Sequence, residues 1–223
     1  MSGAFVAIEG IDGSGKGTQA ALLAEAAGHA GYSTASFSFP LYDDNPFSGA
    51  VADYLNGVFG SVDEVHPELA GLLYACDRFH ARPALEEAIE ANDLVVCDRY
   101  VASNLAHQGA KLEGEPQVRL LAWLRRVEFE EFGLPRPDLT VLLDLEPADA
   151  RALVGRKAAR SYTAMPEDIH ERADGHLAAA RAVYLDLAED ESWRTVRVTD
   201  GAGYRRPDEI SADIWALVAE MLR

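Results

Sequence analysis

Hydrophobic and polar positions alternate along the chain with two different periods, which predicts strands and helices in turn. Short runs rich in Val, Ile and Leu are separated by longer stretches with the apolar spacing of helices that pack on one face. The runs predict five strands, over residues 4–9, 34–39, 94–97, 138–145 and 194–198. The longer stretches predict helices over residues 16–31, 45–57, 66–91, 101–109, 115–132, 147–156, 167–189 and 207–222. Such alternation is typical of βαβ units, so we expect an α/β fold with a five-stranded parallel sheet flanked by helices.

The same pattern gives no reason to divide the chain. Its 223 residues contain no internal repeat, low-complexity tract or long linker, and this length is ample for one large core. One domain over residues 1–223 is therefore predicted. Residues 156–166 are basic and lack a strong apolar period, which predicts a small mobile lid within that domain.

Charge and composition narrow the possible partners. The chain carries 37 acidic and 20 basic residues, a formal net charge of −17, and a protein this acidic repels polyanions at long range. No nucleic acid partner is expected, whereas small polyphosphates can still bind local basic groups and backbone amides. No apolar run approaches the roughly 20 residues that cross a bilayer, and the N-terminal segment lacks the charged region of a signal peptide. We therefore expect no membrane partner and a cytoplasmic location.

A glycine-rich segment between the first strand and the first helix carries the strongest chemical signal. Residues 10–16 match G-x-x-x-x-G-K, a loop whose backbone N–H groups point at phosphate oxygens while the helix N-terminus adds its positive dipole end. Lys16 would reach the β- and γ-phosphates. The motif alone indicates a bound nucleoside triphosphate and specifies no acceptor. The residues expected to bind ATP are Gly10, Gly13, Ser14, Gly15, Lys16, Gly17 and Thr18.

One position of this loop departs from the usual motif. Gly17 stands where a Ser or Thr ordinarily contacts Mg²⁺, and Thr18 follows it. Either Thr18 substitutes, or the metal is held largely through waters and phosphates, since Mg²⁺ readily keeps several waters. Mg²⁺ is the expected cofactor, with ATP as co-substrate. Its candidate ligands, directly or through water, are Asp98 and Thr18.

A second polar cluster follows the third strand, which is fully apolar and stops at Asp98-Arg99-Tyr100. Ligands lie beyond the carboxyl ends of parallel strands, so Asp98 and Arg99 should face the same crevice as the phosphate loop. A carboxylate there can orient Mg²⁺ or its waters, and an arginine can bridge donor and acceptor phosphates. The helix that follows carries four polar residues on successive turns, which would line a common cleft. They are Ser103, Asn104, His107 and Gln108.

Four segments together resemble the thymidylate kinase family: EGIDGSGKGTQ, FPLY at 39–42, YACDR at 74–78 and DRYVASNLAHQG at 98–109. The resemblance runs from about residue 4 to the last helix, and DRY-x-x-S preceded by FP-x-Y is more specific than the phosphate loop. It implies a P-loop NTPase-type three-layer sandwich and transfer of the γ-phosphoryl group of ATP to dTMP, which gives dTDP for dTTP synthesis. It also implies a homodimer.

The resemblance implies roles for single residues around the acceptor nucleotide. Asp12 would meet the 3′-hydroxyl of dTMP and the metal, and Arg99 would contact the acceptor phosphate. Tyr74 would stack on the thymine ring, because a flat aromatic side chain gives affinity without ordering many torsions. Arg78 would donate a hydrogen bond to the thymine O4, and Asn104 would contact N3.

At the sugar end of the same site, the resemblance implies that Phe39 and Tyr42 line the sugar-phosphate and that the Phe39-Pro40 bond is cis. His107 occupies a position where the family often carries Tyr or Phe beside the sugar, so discrimination against ribose is less firmly implied than base identity. Ser103 and Gln108 would lie nearby.

Basic residues are also needed where the phosphoryl group is transferred. Charge spreads over its equatorial oxygens, and arginines on a closing lid can neutralise it while water is excluded. The family supplies this residue from the loop or from the lid, and residues 12–15 include no Arg. The acceptor is an anionic phosphate oxygen, so no general base is needed. The residues expected to act in catalysis are Lys16, Asp12, Arg99, Arg156 and Arg160.

Other kinases share parts of this pattern. The GSGKGTQA segment is also similar to adenylate kinase, so another nucleoside-monophosphate kinase of the adenylate or UMP/CMP type is an alternative. A deoxynucleoside kinase is a second one, although its hydroxyl acceptor calls for a carboxylate base after the second strand, where this chain has Ser38-Phe39-Pro40. A non-catalytic nucleotide switch is a third, which the basic lid and the complete acceptor pocket disfavour.

Overall fold

A parallel sheet built from apolar strands organises the molecule. The computed structural model describes residues 3–41, 45–61, 64–154, 175–201 and 203–222, with residues 151–154 by backbone only. Within these ranges the sheet has five strands, all parallel, in the order β2-β3-β1-β4-β5. The strands are β1 (Ala4–Glu9), β2 (Thr34–Ser38), β3 (Leu94–Asp98), β4 (Leu139–Asp144) and β5 (Trp193–Arg197).

Helices connect the strands and cover the sheet. The first helix packs against the last, whereas α4 packs against α3, α5 and α7. The central strands β1, β3 and β4 are buried almost throughout, as expected of parallel strands covered on both faces. The helices are α1 (Lys16–His29), α2 (Pro46–Leu55), α3 (Pro67–Ala91), α4 (Val101–Gly109), α5 (Gly114–Arg125), α6 (Pro147–Val154), α7 (His176–Leu187) and α8 (Pro207–Met221).

Local sequence explains where several helices begin. Asn45 caps α2 by accepting hydrogen bonds from the backbone N–H groups of Phe47 and Ser48, and the Ser48 hydroxyl in turn accepts one from the Asn45 backbone N–H. Such a reciprocal box satisfies N–H groups that a helix start leaves without partners. Pro46 and Pro67 stand at the starts of α2 and α3, where the missing N–H costs nothing.

The structure departs from the predicted elements at two places. The helix predicted over residues 115–132 is divided, because α5 gives way to a π-helical segment, Arg126–Glu131, whose wider turn includes the fully buried Glu128. A short antiparallel hairpin, β6 (Thr199–Asp200) with β7 (Gly203–Tyr204), was not predicted, since two-residue strands show no period. The predicted cis bond between Phe39 and Pro40 is confirmed.

None of the helices in the described residues is both long enough and apolar enough to cross a membrane.

Candidate active site

The glycine-rich loop joins β1 to α1 at the carboxyl edge of the sheet. Gly10 has φ 145°, and a β-carbon there would lie 2.7 Å from the Leu143 carbonyl oxygen, so only glycine fits this close approach. The ammonium group of Lys16 is buried and donates to the Ile11 carbonyl at 2.8 Å. The Ser14 hydroxyl is buried and has no hydrogen-bond partner among the described residues. The loop therefore has the curled backbone and the buried lysine of a phosphate-binding site.

Asp98, at the end of β3, lies directly beside this loop. A β-carbon on Gly17 would come within 2.9 Å of Oδ2 of Asp98, while Oδ1 is buried and accepts no hydrogen bond within the described part of the chain. Thr18 is exposed. Among the described residues, no group of three or more His, Cys, Asp or Glu side chains is arranged to hold a metal. Asp98 thus suits Mg²⁺ as a single hard oxygen ligand shared with phosphates and waters.

Arg99 and Asp12 form an ion pair next to the loop. The Arg99 backbone has φ 67°, in the left-handed region that non-glycine residues seldom adopt. Its Nη2 donates to Oδ1 of Asp12 at 2.5 Å, and its Nη1 donates to the Ser103 hydroxyl at 3.2 Å. Burial disfavours the charged form, but the Asp12 carboxylate and the other acidic groups around the guanidinium together outweigh this effect and raise the pKa of Arg99. The structure therefore brings together three of the predicted catalytic residues, Lys16, Asp12 and Arg99.

A buried carboxylate with no predicted role, Glu9, is linked to Arg99 through Ser103. Glu9, the last residue of β1, accepts hydrogen bonds from the backbone N–H groups of Tyr100 and Ser103 at 2.7 and 3.1 Å. The hydroxyls of Ser103 and Tyr184 contact its other oxygen at 2.6 and 3.0 Å. Burial raises the pKa of Glu9 although the hydroxyls of Ser103 and Tyr184 and the backbone N–H of Tyr100 oppose the shift. The Ser103 hydroxyl therefore links Glu9 to Arg99 and helps to hold the guanidinium in place.

Arg78 and Asn104, both predicted to contact the base, meet at a second buried carboxylate. Nε and Nη2 of Arg78 each donate to Glu128 at 2.6 Å. Nδ2 of Asn104 donates to the same carboxylate at 2.7 Å and to the Gly71 carbonyl at 2.9 Å. Burial works against the charge of Arg78, but the carboxylate of Glu128 raises its pKa nonetheless. Glu128 was not among the residues predicted from the sequence.

The segment predicted to line the sugar end is held by another buried acid. Phe39 is buried in the core, and the centre of its ring lies 5.8 Å from the centre of the Tyr100 ring. Two residues later, the Leu41 backbone N–H donates to Oδ2 of Asp77 at 3.0 Å, and Nδ2 of Asn45 donates to Oδ1 of Asp77 at 2.8 Å. Asp77 follows the predicted base-stacking region on α3 and was also missed. It ties α3 to the chain that follows β2.

Two aromatic side chains and one amide complete the described cleft. Tyr74 is half-buried and meets the Tyr54 ring edge-on, with 6.2 Å between ring centres. His107 is buried with Nδ1 3.3 Å from Nε2 of His176, and burial keeps the pKa of His107 well below its usual range. The Gln108 side chain is fully buried, and neither its oxygen nor its nitrogen has a hydrogen-bond partner among the described residues. The four predicted polar residues of α4 are therefore all interior.

Three predicted site residues cannot be compared with the structure. Tyr42, Arg156 and Arg160 lie outside the described residues, as do residues 156–166 of the predicted lid.

The missed acids shared a weak signal in the sequence. Asp77 and Glu9 each stand beside a residue that was assigned a role, Arg78 and Gly10 respectively. An acid within an otherwise apolar segment needs partners when it is buried, so both positions could have been proposed as supports of their neighbours. Glu128 gave no comparable signal, because it lies in an acidic stretch that reads as a solvated helix face.

Comparison with known proteins agrees with this geometry. The family model described as thymidylate kinase matches residues 8–203. The thymidylate kinase of Mycobacterium tuberculosis is 35% identical over 184 residues, covering 82% of this chain and 85% of the relative. That of Deinococcus radiodurans is 35% identical over 219 residues, with coverage of 98% and 97%.

The fold is similar to that of a solved thymidylate kinase as well. The structure of the Candida albicans enzyme superposes with a TM-score of 0.74 at 22% identity, covering 98% of this chain and 92% of the other. This likeness supports the assignment of a P-loop NTPase fold, with a parallel sheet between helices.

Proposed function

The chain belongs to the thymidylate kinase family and phosphorylates dTMP to dTDP with ATP, and we propose that the residues gathered at the carboxyl edge of the sheet carry out this transfer. Another nucleoside-monophosphate kinase activity or a deoxynucleoside kinase activity is not favoured by the family match. The observation that best supports the proposal is the Arg99–Asp12 ion pair, which lies beside the loop that holds Lys16.

Lys16 and Arg99 supply positive charge between the two nucleotides. The backbone of Gly10, Gly13 and Gly15 surrounds the phosphates of ATP, with Lys16 on the β- and γ-phosphates. Arg99 contacts the phosphate of dTMP, and Asp12 meets the sugar hydroxyl and holds the guanidinium. The nucleophile is an acceptor phosphate oxygen that is already anionic, so catalysis consists of positioning and charge stabilisation.

Asp98 is the proposed protein ligand of Mg²⁺, directly or through water. Its buried Oδ1 without a described partner, next to Gly17, supports this role. When bound, the metal would neutralise charge on the phosphates of ATP. Thr18 is exposed at the same helix start and could contribute through a water.

The base and the sugar of dTMP occupy the cleft between α3 and α4. Tyr74 stacks on thymine, Arg78 donates to O4, and Asn104 contacts N3. The proximity of Arg78 and Asn104 through Glu128 supports this arrangement. The sugar end is lined by Phe39, Tyr42 and His107, with Ser103 and Gln108 nearby.

Arg156 and Arg160, in a lid over residues 156–166 of a single domain, are proposed to contact the transferring phosphoryl group. The transition state needs positive charge, and residues 12–15 contain no arginine that could supply it. This supports a catalytic role for the two lid arginines.

A homodimer is proposed from exposed apolar residues. Leu69, Leu72 and Phe79 follow helical spacing on α3 and remain exposed, as does Val118 on α5, and such patches are typical of interfaces. Leu69→Glu should convert the dimer to a monomer in sedimentation velocity, and an unchanged sedimentation coefficient would contradict this surface. We also propose a cytoplasmic location, where dTMP and ATP are available.

The reaction is tested with a coupled assay that offers dTMP, dUMP, AMP, CMP and thymidine in turn. dTMP should give the highest kcat/KM. Arg99→Ala should stay folded and lose at least about a hundredfold in kcat, whereas Arg119→Ala, in an exposed ion pair with Glu115, should match the wild type. Wild-type transfer to dTMP by folded Arg99→Ala would refute the proposed role.

A further inference from the structure

Glu128 is a fully buried carboxylate whose hydrogen-bond partners among the described residues, Arg78 and Asn104, are both proposed to bind the base. It lies in the π-helical segment Arg126–Glu131, and π-helical turns occur frequently at functional sites. A buried carboxylate is tolerated only when it is paired and hydrogen-bonded. Here three donor groups satisfy it: two nitrogens of Arg78 and the amide nitrogen of Asn104.

These contacts determine which way the Asn104 amide points. An ionised carboxylate and a backbone carbonyl only accept hydrogen bonds, so Nδ2 of Asn104 must face Glu128 and the Gly71 carbonyl. Oδ1 is thereby turned away from both. It is buried and has no hydrogen-bond partner among the described residues. An unpaired buried acceptor is therefore left here, 3.5 Å from where a β-carbon on Gly71 would lie.

The same carboxylate determines which arm of Arg78 is available. Nε and Nη2 face Glu128, and Nη1 forms no hydrogen bond with the part of the chain that the structure describes. The remaining arm is a donor whose direction is fixed, because the guanidinium is planar and both other nitrogens are engaged.

We propose that Glu128 is the positioning residue for base recognition, because it engages the other nitrogens and leaves Oδ1 of Asn104 and Nη1 of Arg78 for the base. This acceptor and donor match the N3–H and O4 groups of thymine and uracil. Cytosine presents the opposite pattern, an acceptor at N3 and an amino donor at C4, and is rejected. The inference rests on the roles proposed above for Arg78 and Asn104.

The test compares dTMP with 5-methyl-dCMP, which keeps the ring and its methyl group but reverses the hydrogen-bonding edge. Glu128→Gln places an NH₂ group against N–H donors, so the orientations of Arg78 and Asn104 are no longer fixed. We expect its KM for dTMP to rise at least about tenfold, with the KM for ATP and kcat within about threefold of wild type. The preference for dTMP over 5-methyl-dCMP, as a ratio of kcat/KM values, should also fall about tenfold.

The matched control is Glu86→Gln, which removes the same charge from the half-buried Arg82–Glu86 pair on α3 and should leave the preference unchanged. Glu128→Asp, which retains the carboxylate, should recover part of the lost dTMP affinity. If Glu128→Gln lost activity toward both nucleotides in equal proportion, Glu128 would only stabilise the fold and the proposal would be overturned. If the wild type itself showed no preference for dTMP, the proposed roles of Arg78 and Asn104 would fail instead.

A measurement on the wild-type protein keeps the proposal testable if Glu128→Gln does not fold. The side-chain NH₂ resonances of Asn104, assigned by their loss in Asn104→Ser, should exchange slowly with water in nucleotide-free protein because both protons are bonded. Their shifts should change little when dTMP binds. Fast exchange, or a large change on binding that indicates donation to the base, would overturn the assigned orientation.

Discussion

Gly17 and Asp98 approach so closely that a β-carbon on Gly17 would lie 2.9 Å from a carboxylate oxygen of Asp98. Real β-carbons almost never make so short a contact, so any side chain at position 17 must push the carboxylate away from the phosphate loop. This contact gives a physical reason for glycine where related loops carry Ser or Thr.

Gly17→Ser should therefore impair the enzyme although it restores the common motif. We expect kcat to fall about tenfold at limiting Mg²⁺ and to recover partly at high Mg²⁺, because the displaced Asp98 binds the metal less well. The measurement is kcat against Mg²⁺ concentration. Gly28→Ala, on the same helix with open space around the added carbon, serves as the control and should keep wild-type kcat. Equal Mg²⁺ curves for Gly17→Ser and the wild type would exclude the proposed metal role.

The buried Glu9 should make the free energy of unfolding depend on pH. Burial raises the pKa of Glu9 above its ordinary value despite the hydrogen bond from Ser103, so the folded protein favours the neutral acid. The stability contributed by this group is therefore complete below the ordinary glutamate pKa and is lost as pH rises through the raised value. Glu9→Gln resembles the neutral acid and does not titrate.

Urea unfolding from about pH 4, below the ordinary glutamate pKa, to about pH 8 tests this sign. The free energy of unfolding of the wild type should decrease relative to that of Glu9→Gln as pH rises, by about 1.4 kcal/mol for each unit by which the pKa is raised. Glu25→Gln, exposed on α1, corrects for the loss of one negative charge from an acidic protein. A difference that stays constant with pH, or grows in favour of the wild type, would show that Glu9 is ionised throughout.

The strands and the phosphate loop could be predicted from sequence because their signals are local. Buried strands are continuous apolar runs, and the loop needs glycine at fixed spacing. The predicted bounds of β1, residues 4–9, match the structure, and β3 extends only one residue beyond its prediction, to Asp98.

The supporting acids could not be predicted in the same way because their partners are remote. Glu9 meets Ser103 across 94 positions and Tyr184 across 175. Glu128 meets Arg78 across 50. A single sequence shows the polarity of such residues and not which of them are buried, since burial depends on tertiary packing.

Asp77 should contribute both to the stability of the protein and to the binding of dTMP. Its two oxygens accept from the Leu41 backbone N–H and from the Asn45 side chain. Asp77→Asn keeps one acceptor and replaces the other by a donor, which leaves one buried donor without a partner. The free energy of unfolding should fall by about 1–3 kcal/mol, and the KM for dTMP should rise while that for ATP is unchanged.

Urea unfolding and initial rates provide both readouts for this variant. Asp186→Asn, exposed on α7, is the matched control and should change neither quantity. A stable Asp77→Asn protein with unaltered KM for dTMP would mean that the chain after Phe39 does not depend on this acid.

His107 predicts a loss of stability on the acid side. Burial is the main cause that holds the pKa of His107 well below its ordinary value, against the opposing charge of Asp12. The folded protein therefore keeps the neutral ring, whereas the unfolded chain takes up a proton once pH falls below the ordinary histidine pKa. Acidification consequently stabilises the unfolded state.

His107→Phe removes this proton uptake and keeps an aromatic ring at the position. Between about pH 7.5 and about pH 5.5, the free energy of unfolding of the wild type should fall relative to that of His107→Phe, approaching about 1.4 kcal/mol at the lower pH. The variant also loses the contact with Nε2 of His176, which lowers its stability at both pH values. The change of the free energy of unfolding with pH therefore reports the protonation of the residue at position 107. His29→Gln, at an exposed position on α1, is the matched control and should follow the wild-type slope. Parallel lines for the wild type and His107→Phe would mean that the buried ring accepts a proton as readily as in the unfolded chain, and the neutral ring inferred from its burial would then be wrong.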